Sequence, residues 1–202
     1  FCLTVSLLSF LEKRYYLAYI FAALATLTKG PIGLIFPGTI ILFYLLATRN
    51  WSQLKTMKIP SGLLVYALVA FPWYIMMYQI HGSAFIETFL GFHNVTRFTS
   101  PEHPDLVVWY YYIPVLLLGF FPWTSIMLQS MWASLTKGRQ DFSVLVFLNI
   151  WAIFIFLFFS ISKTKLVSYI LPMFPPLAMI VGWYIDHLWT MRQQRRAYSW
   201  AG

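Results

Sequence analysis

From Tyr15 to Ala47 the chain runs for 33 residues with Lys29 as its sole charge. As one helix this stretch would be about 50 Å long, against a bilayer hydrocarbon core of about 30 Å. A single span is therefore excluded, and the break must come inside the run. Lys29-Gly30-Pro31 supplies it at the middle: a charge, a flexible residue and a residue that cannot continue a helix. Two short helices meeting at a tight turn are predicted, with the Lys29 end below the membrane surface in a protein-lined cavity.

The same length criterion divides the rest. Apolar segments fall at 1–11, 15–28, 31–48, 61–80, 108–132, 142–162 and 168–189, which predicts an all-α, polytopic transmembrane bundle of about seven segments. Residues of apolar type make up 60% of the chain and charged ones 10%. A soluble domain is about a quarter charged, so a water-buried core is excluded. Aromatics at 20% suit interfacial belts. The lone cysteine, Cys2, has no partner for an internal disulfide. There is no initiator Met and no basic stretch with a cleavage site before the first apolar run. The expectation is a partial transmembrane domain over 1–202.

The formal charge of +8 does not require a nucleic acid, because lysine and arginine collect in cytoplasmic loops of membrane proteins. Alternating the segments puts Lys13, Arg14, Arg49, Lys55, Lys58, Lys137, Arg139, Arg192, Arg195 and Arg196 on one face. The other receives Lys29, Arg97, Lys163 and Lys165. That bias assigns the first face to the cytoplasm. The four cations of the second face sit at or near apolar helices, where they either snorkel to lipid headgroups or face a cavity and an anion.

The longest loop on that second face, 81–107, holds three of the four histidines and three of the six acids of the chain. Within it, Ser83–Phe98 reads as an amphipathic interfacial helix. His93 and Arg97, four apart, share one helical face and could together hold a phosphate. His93 with Glu87 or His103 could instead ligate a divalent metal, although the spacing matches no closed metal motif. Asn94-Val95-Thr96 also fits a glycosylation sequon, a pattern common by chance. A second cluster, Ser162-Lys163-Thr164-Lys165 followed by Tyr169, offers two ammonium groups and a phenol; Tyr169 equally suits an interfacial belt. Pro172, Pro175 and Pro176 predict irregular backbone there, tolerated at membrane depth only against protein or a watery cavity.

Five stretches in order carry a family resemblance: Leu27-Thr28-Lys29-Gly30-Pro31, Phe71-Pro72-Trp73-Tyr74, His93-Asn94-Val95-Thr96-Arg97-Phe98, Tyr110–Trp123 and Ser162–Pro176. Together they resemble the bacterial GT-C membrane glycosyltransferases, which include aminoarabinose–lipid A transferases and relatives in the protein O-mannosyltransferase superfamily. The resemblance implies a GT-C bundle and transfer of a sugar from a polyprenyl-phosphate donor to a lipid, glycan or protein acceptor, on the outer face of the cytoplasmic membrane. It implies that Arg97 and Tyr169 contact the donor phosphate and that His93 stands beside it in a divalent-metal site. Lys29 and Lys165 face the same cavity, with Lys163 and His103 as further substrate-binding candidates. The family's catalytic Asp would lie upstream of Phe1, since Glu87, Glu102 and Asp105 do not match it. A transporter or flippase for a phosphorylated lipid is the alternative, as is a non-catalytic assembly subunit. The absence of an internal repeat and of charge in the helix interiors weighs against transport.

Overall fold

A computed structural model describes residues 1–86, 88, 108–136 and 142–200, with side chains from 193 onward, and those of Ile86 and Phe142, left out. The described residues form helices α1 (Cys2–Leu11), α2 (Tyr15–Lys29), α3 (Ile32–Thr48), α4 (Ser52–Thr56), α5 (Ile59–His81) and α6 (Ser83–Ile86). After the 81–107 region come α7 (Tyr112–Gly119), α8 (Thr124–Thr136), α9 (Phe142–Ile161), a 3-10 turn (Val167–Met173) and α10 (Phe174–Trp200). No strand occurs among them. The all-α membrane bundle expected from the apolar segments is what forms.

Neighbouring helices are tied by contacts that also fix their directions. Ser6 Oγ donates to the Ala18 carbonyl at 2.9 Å, where small residues on α1 and α2 let the backbones approach, as apolar surroundings favour. Tyr16 meets Ser61 while Tyr66 and Tyr74 meet Thr26, so α2 and α5 run parallel. Tyr44 near the end of α3 bonds Ser143 near the start of α9, and Phe36 near the start of α3 packs edge-on against Phe154, Phe158 and Phe159 late in α9. Hence α3 and α9 are antiparallel. Phe10, Phe147, Trp151, Ile155 and Ile170 are buried where these helices meet. On α5, by contrast, Leu64, Leu68, Phe71, Ile75 and Met76 are exposed, which suits a lipid-facing surface.

Two ends of the bundle follow from these directions. One collects the end of α2, the start of α3, the end of α5 and the end of α9. The other collects the α1–α2 turn and the α3–α4–α5 connection. Lys29, Lys163 and Lys165 lie at the first end. Lys13, Arg14, Arg49, Lys55 and Lys58 lie at the second.

Among the described residues three helical stretches are by themselves long and apolar enough to cross a membrane: Ile59–His81, Ser143–Ile161 and Val167–Arg192. The expected single segment over 108–132 requires correction. It is two helices, α7 and α8, bent by 112° at the intervening break. Pro122 cannot supply a backbone donor there, and Phe120 is drawn onto Phe174 as a stacked pair 4.9 Å apart. Among the described residues that bent pair, taken together, is a fourth stretch long and apolar enough to cross, and α1 and α3 are shorter apolar helices.

Candidate active site

The tip of the α2–α3 hairpin carries Lys29. Gly30 takes φ 74°, a backbone conformation that side-chain-bearing residues rarely adopt, and Pro31 then opens α3. A Cβ on Gly33 would fall inside the backbone of Ala25 and Thr26, so the two helices close tightly behind the tip. Thr26 is held from α5 as well: Tyr66 donates to its hydroxyl at 3.0 Å and Tyr74 to its carbonyl at 3.1 Å. Lys29 is exposed, at a helix C-terminus where the backbone dipole favours a cation.

The second component is the connection from α9 to the 3-10 turn. The last carbonyls of α9 have no partners within the helix. Lys165 supplies them: its Nζ donates to the Phe159 carbonyl at 2.9 Å and the Ser160 carbonyl at 2.6 Å. The side chain is only 2% exposed, and the ammonium lies 5.5 Å from the Tyr112 ring centroid. Burial pushes this ammonium below the ordinary lysine range. Tyr112, fully buried at the start of α7, donates to the Leu166 carbonyl at 3.2 Å. Ser162 Oγ donates to the Thr164 carbonyl at 3.3 Å, and the Tyr169 amide bonds the Leu166 carbonyl at 3.0 Å. The connection is therefore pinned on both sides, while Lys163 stays exposed.

These two components meet. The Lys29 ammonium stands 5.8 Å from the Tyr169 ring centroid, a cation–π distance, and the same ring leans on Phe159 with centroids 5.3 Å apart. Residues 140 positions apart in sequence thus share one surface. Of the predicted site residues, Lys29, Tyr169 and Lys163 lie at one end of the bundle as expected. Lys165 is there too, but its ammonium is turned to main-chain carbonyls rather than to open space. Arg97, His93 and His103 lie outside the described residues, as do Glu87, Glu102 and Asp105. Phe85 packs on Trp73 and Tyr74 with centroids 5.7 and 6.2 Å away, and Tyr74 in turn bonds Thr26, which puts Phe85 at the Lys29 end. Among the described residues no three His, Cys, Asp or Glu side chains gather as a metal site. Tyr112 and Tyr74 were missed as site-shaping residues; their sequence signal was only the aromatic richness of the stretches that contain them.

The backbone arrangement has a counterpart of known structure. ArnT from Cupriavidus metallidurans bound to undecaprenyl phosphate matches with a TM-score of 0.76 at 30% identity, over 85% of this chain and 30% of that one. An undecaprenyl phosphate-alpha-4-amino-4-deoxy-L-arabinose arabinosyl transferase of Edwardsiella ictaluri is 31% identical over 177 residues. In sequence and in backbone the chain is similar to one part of such membrane arabinosyl transferases. An uncharacterised protein of Aquifex aeolicus is 34% identical over 197 residues, 96% of this chain and 42% of that protein. The Edwardsiella match covers 86% of this chain and 31% of the transferase, so the chain spans about a third of the length of that relative. No family model matches the chain.

Proposed function

We propose that this chain carries the donor-phosphate end of a membrane glycosyltransferase. The enzyme moves a sugar from a polyprenyl-phosphate carrier to a lipid acceptor at the outer face of the cytoplasmic membrane. The observation that supports it is the meeting of Lys29 and Tyr169 at 5.8 Å, beside a connection locked by Lys165 and Tyr112. ArnT from Cupriavidus metallidurans is a relative bound to undecaprenyl phosphate, which favours the same carrier here.

In this reading the sugar's anomeric carbon is attacked by an acceptor hydroxyl or phosphate while the prenyl phosphate departs. Negative charge then develops on the leaving phosphate, and fixed cations stabilise that charge more in the transition state than in the ground state. Lys29 supplies one such charge and Arg97 a planar two-pronged donor. The Tyr169 hydroxyl donates to a phosphate oxygen, and exposed Lys163 adds to the local positive potential. His103 would touch substrate and His93 would hold a divalent metal beside it. Lys165 acts at one remove, holding the chain that presents Tyr169. The base for the attacking group must come from elsewhere. Of the two acids among the described residues, Glu12 is paired with Arg14 at the opposite end, and Asp186 is three turns down α10.

Sugar transfer by the full-length protein from an undecaprenyl-phosphate-linked donor tests this. Lys29→Met, which keeps the aliphatic stem, should lower kcat by about a hundredfold with the fold intact. Arg97→Ala should do at least as much. Unchanged transfer in both variants would remove the phosphate site.

A further inference from the structure

The turns at the other end of α2 from Lys29 enclose a cleft of about 360 Å³. Lys13 and Arg14 reach it from the α1–α2 turn, Lys58 and Thr56 from the α4–α5 turn, and Tyr15 and Tyr16 line it between them. Three cations from two turns more than forty residues apart thus converge on one concavity, and Glu12 offsets only Arg14, at 3.2 Å. The shape is held by side-chain bonds across the cleft. Tyr15 pairs with Thr56 at 3.3 Å, Tyr16 with Ser61 at 3.2 Å, and the Lys58 ammonium lies 5.0 Å from the Tyr16 ring centroid. No side chain caps the start of α2 and no acid stands in its first turn, which leaves the positive end of that helix directed at the same place.

We propose that this cleft binds the phosphodiester headgroup of an anionic membrane lipid. A lipid rather than a soluble anion is favoured by what flanks the cleft. It lies at the start of α2 and α5, and further along α5 the apolar side chains Leu63 and Leu64 are exposed. A headgroup seated on the three cations would let its acyl chains run down that apolar surface. The site is separate from the donor-phosphate end, so its failure would leave the proposed transfer reaction untouched.

Native mass spectrometry of the full-length protein in detergent reads the preference directly, with dioleoyl phosphatidylglycerol and dioleoyl phosphatidylcholine as probes. Lys13 and Lys58 both have positive φ, at 61° and 50°, so Lys13→Asn with Lys58→Asn removes charge while keeping a residue that tolerates that backbone. This pair should lower the phosphatidylglycerol preference about tenfold. Arg14→Gln, at an ordinary backbone angle, should give a smaller loss in the same direction. Arg49→Asn with Lys55→Gln removes the same charge from the same end outside the cleft and should leave the preference in place. Equal losses from both pairs, or none from the first, would overturn the site. Displacement of bound lipid by inorganic phosphate would reassign the cleft to a soluble anion and overturn the lipid assignment; persistence of the lipid supports it.

Discussion

Lys163 and Lys165 differ by two positions and do different work. Lys163 is exposed, whereas Lys165 is buried against two carbonyls that α9 cannot satisfy itself. Removing the Lys165 amine leaves both carbonyls without it, a loss of about 1–3 kcal/mol. Lys165→Met should therefore lower the thermal unfolding temperature in detergent, and Lys163→Met should leave it nearly unchanged. The pH dependence has a definite sign. The folded chain holds the Lys165 proton less firmly than the unfolded chain does, so deprotonation relieves a desolvation cost. Wild type should gain stability relative to Lys165→Met as pH climbs from the depressed folded value towards 10.5. A difference that stays flat over that window would show the ammonium to be unperturbed. The sequence revealed that these lysines were unusual, but not which one faced inward. That distinction depends on where α9 runs out of hydrogen-bond partners, a property of the folded helix end.

At the scale of elements, the hairpin at Gly30-Pro31 was legible because a 33-residue apolar run is too long for one crossing and its middle contains a breaker. What could not be read was how closely α2 and α3 approach behind it. Gly33 marks that approach, since any Cβ there meets the Ala25 and Thr26 backbone. Gly33→Ala should cost about 1–3 kcal/mol and weaken donor binding through displacement of the Lys29 tip. Gly38→Ala, five residues on with nothing near the added methyl, should be neutral or slightly stabilising. Equal melting temperatures for the two variants would refute the tight packing. The break between α7 and α8 was missed because apolar content over 108–132 satisfies the length rule, while the bend depends on Pro122 and on Phe120 reaching Phe174. The residues around Tyr169 were expected to be irregular from their three prolines, and a 3-10 turn there precedes α10.

Across the whole molecule, charge and topology agree. The loop alternation that separated Lys29, Lys163 and Lys165 from Lys13, Arg14, Arg49, Lys55 and Lys58 reappears as two ends of one bundle, set by helix directions that side-chain bonds fix independently. The juxtaposition of Lys29 with Tyr169 lay beyond pattern reading, because it is made by α3 packing antiparallel on α9. The most direct test is labelling of single cysteines by a membrane-impermeant thiol reagent, in a Cys2→Ser background of the full-length protein in sealed membranes. Lys29→Cys and Lys163→Cys should react from the non-cytoplasmic side, with undecaprenyl phosphate protecting position 29, and Lys58→Cys should react only from the cytoplasmic side. Labelling of positions 29 and 163 from opposite sides, or of 29 and 58 from the same side, would contradict a donor-phosphate pocket built at the Lys29 end.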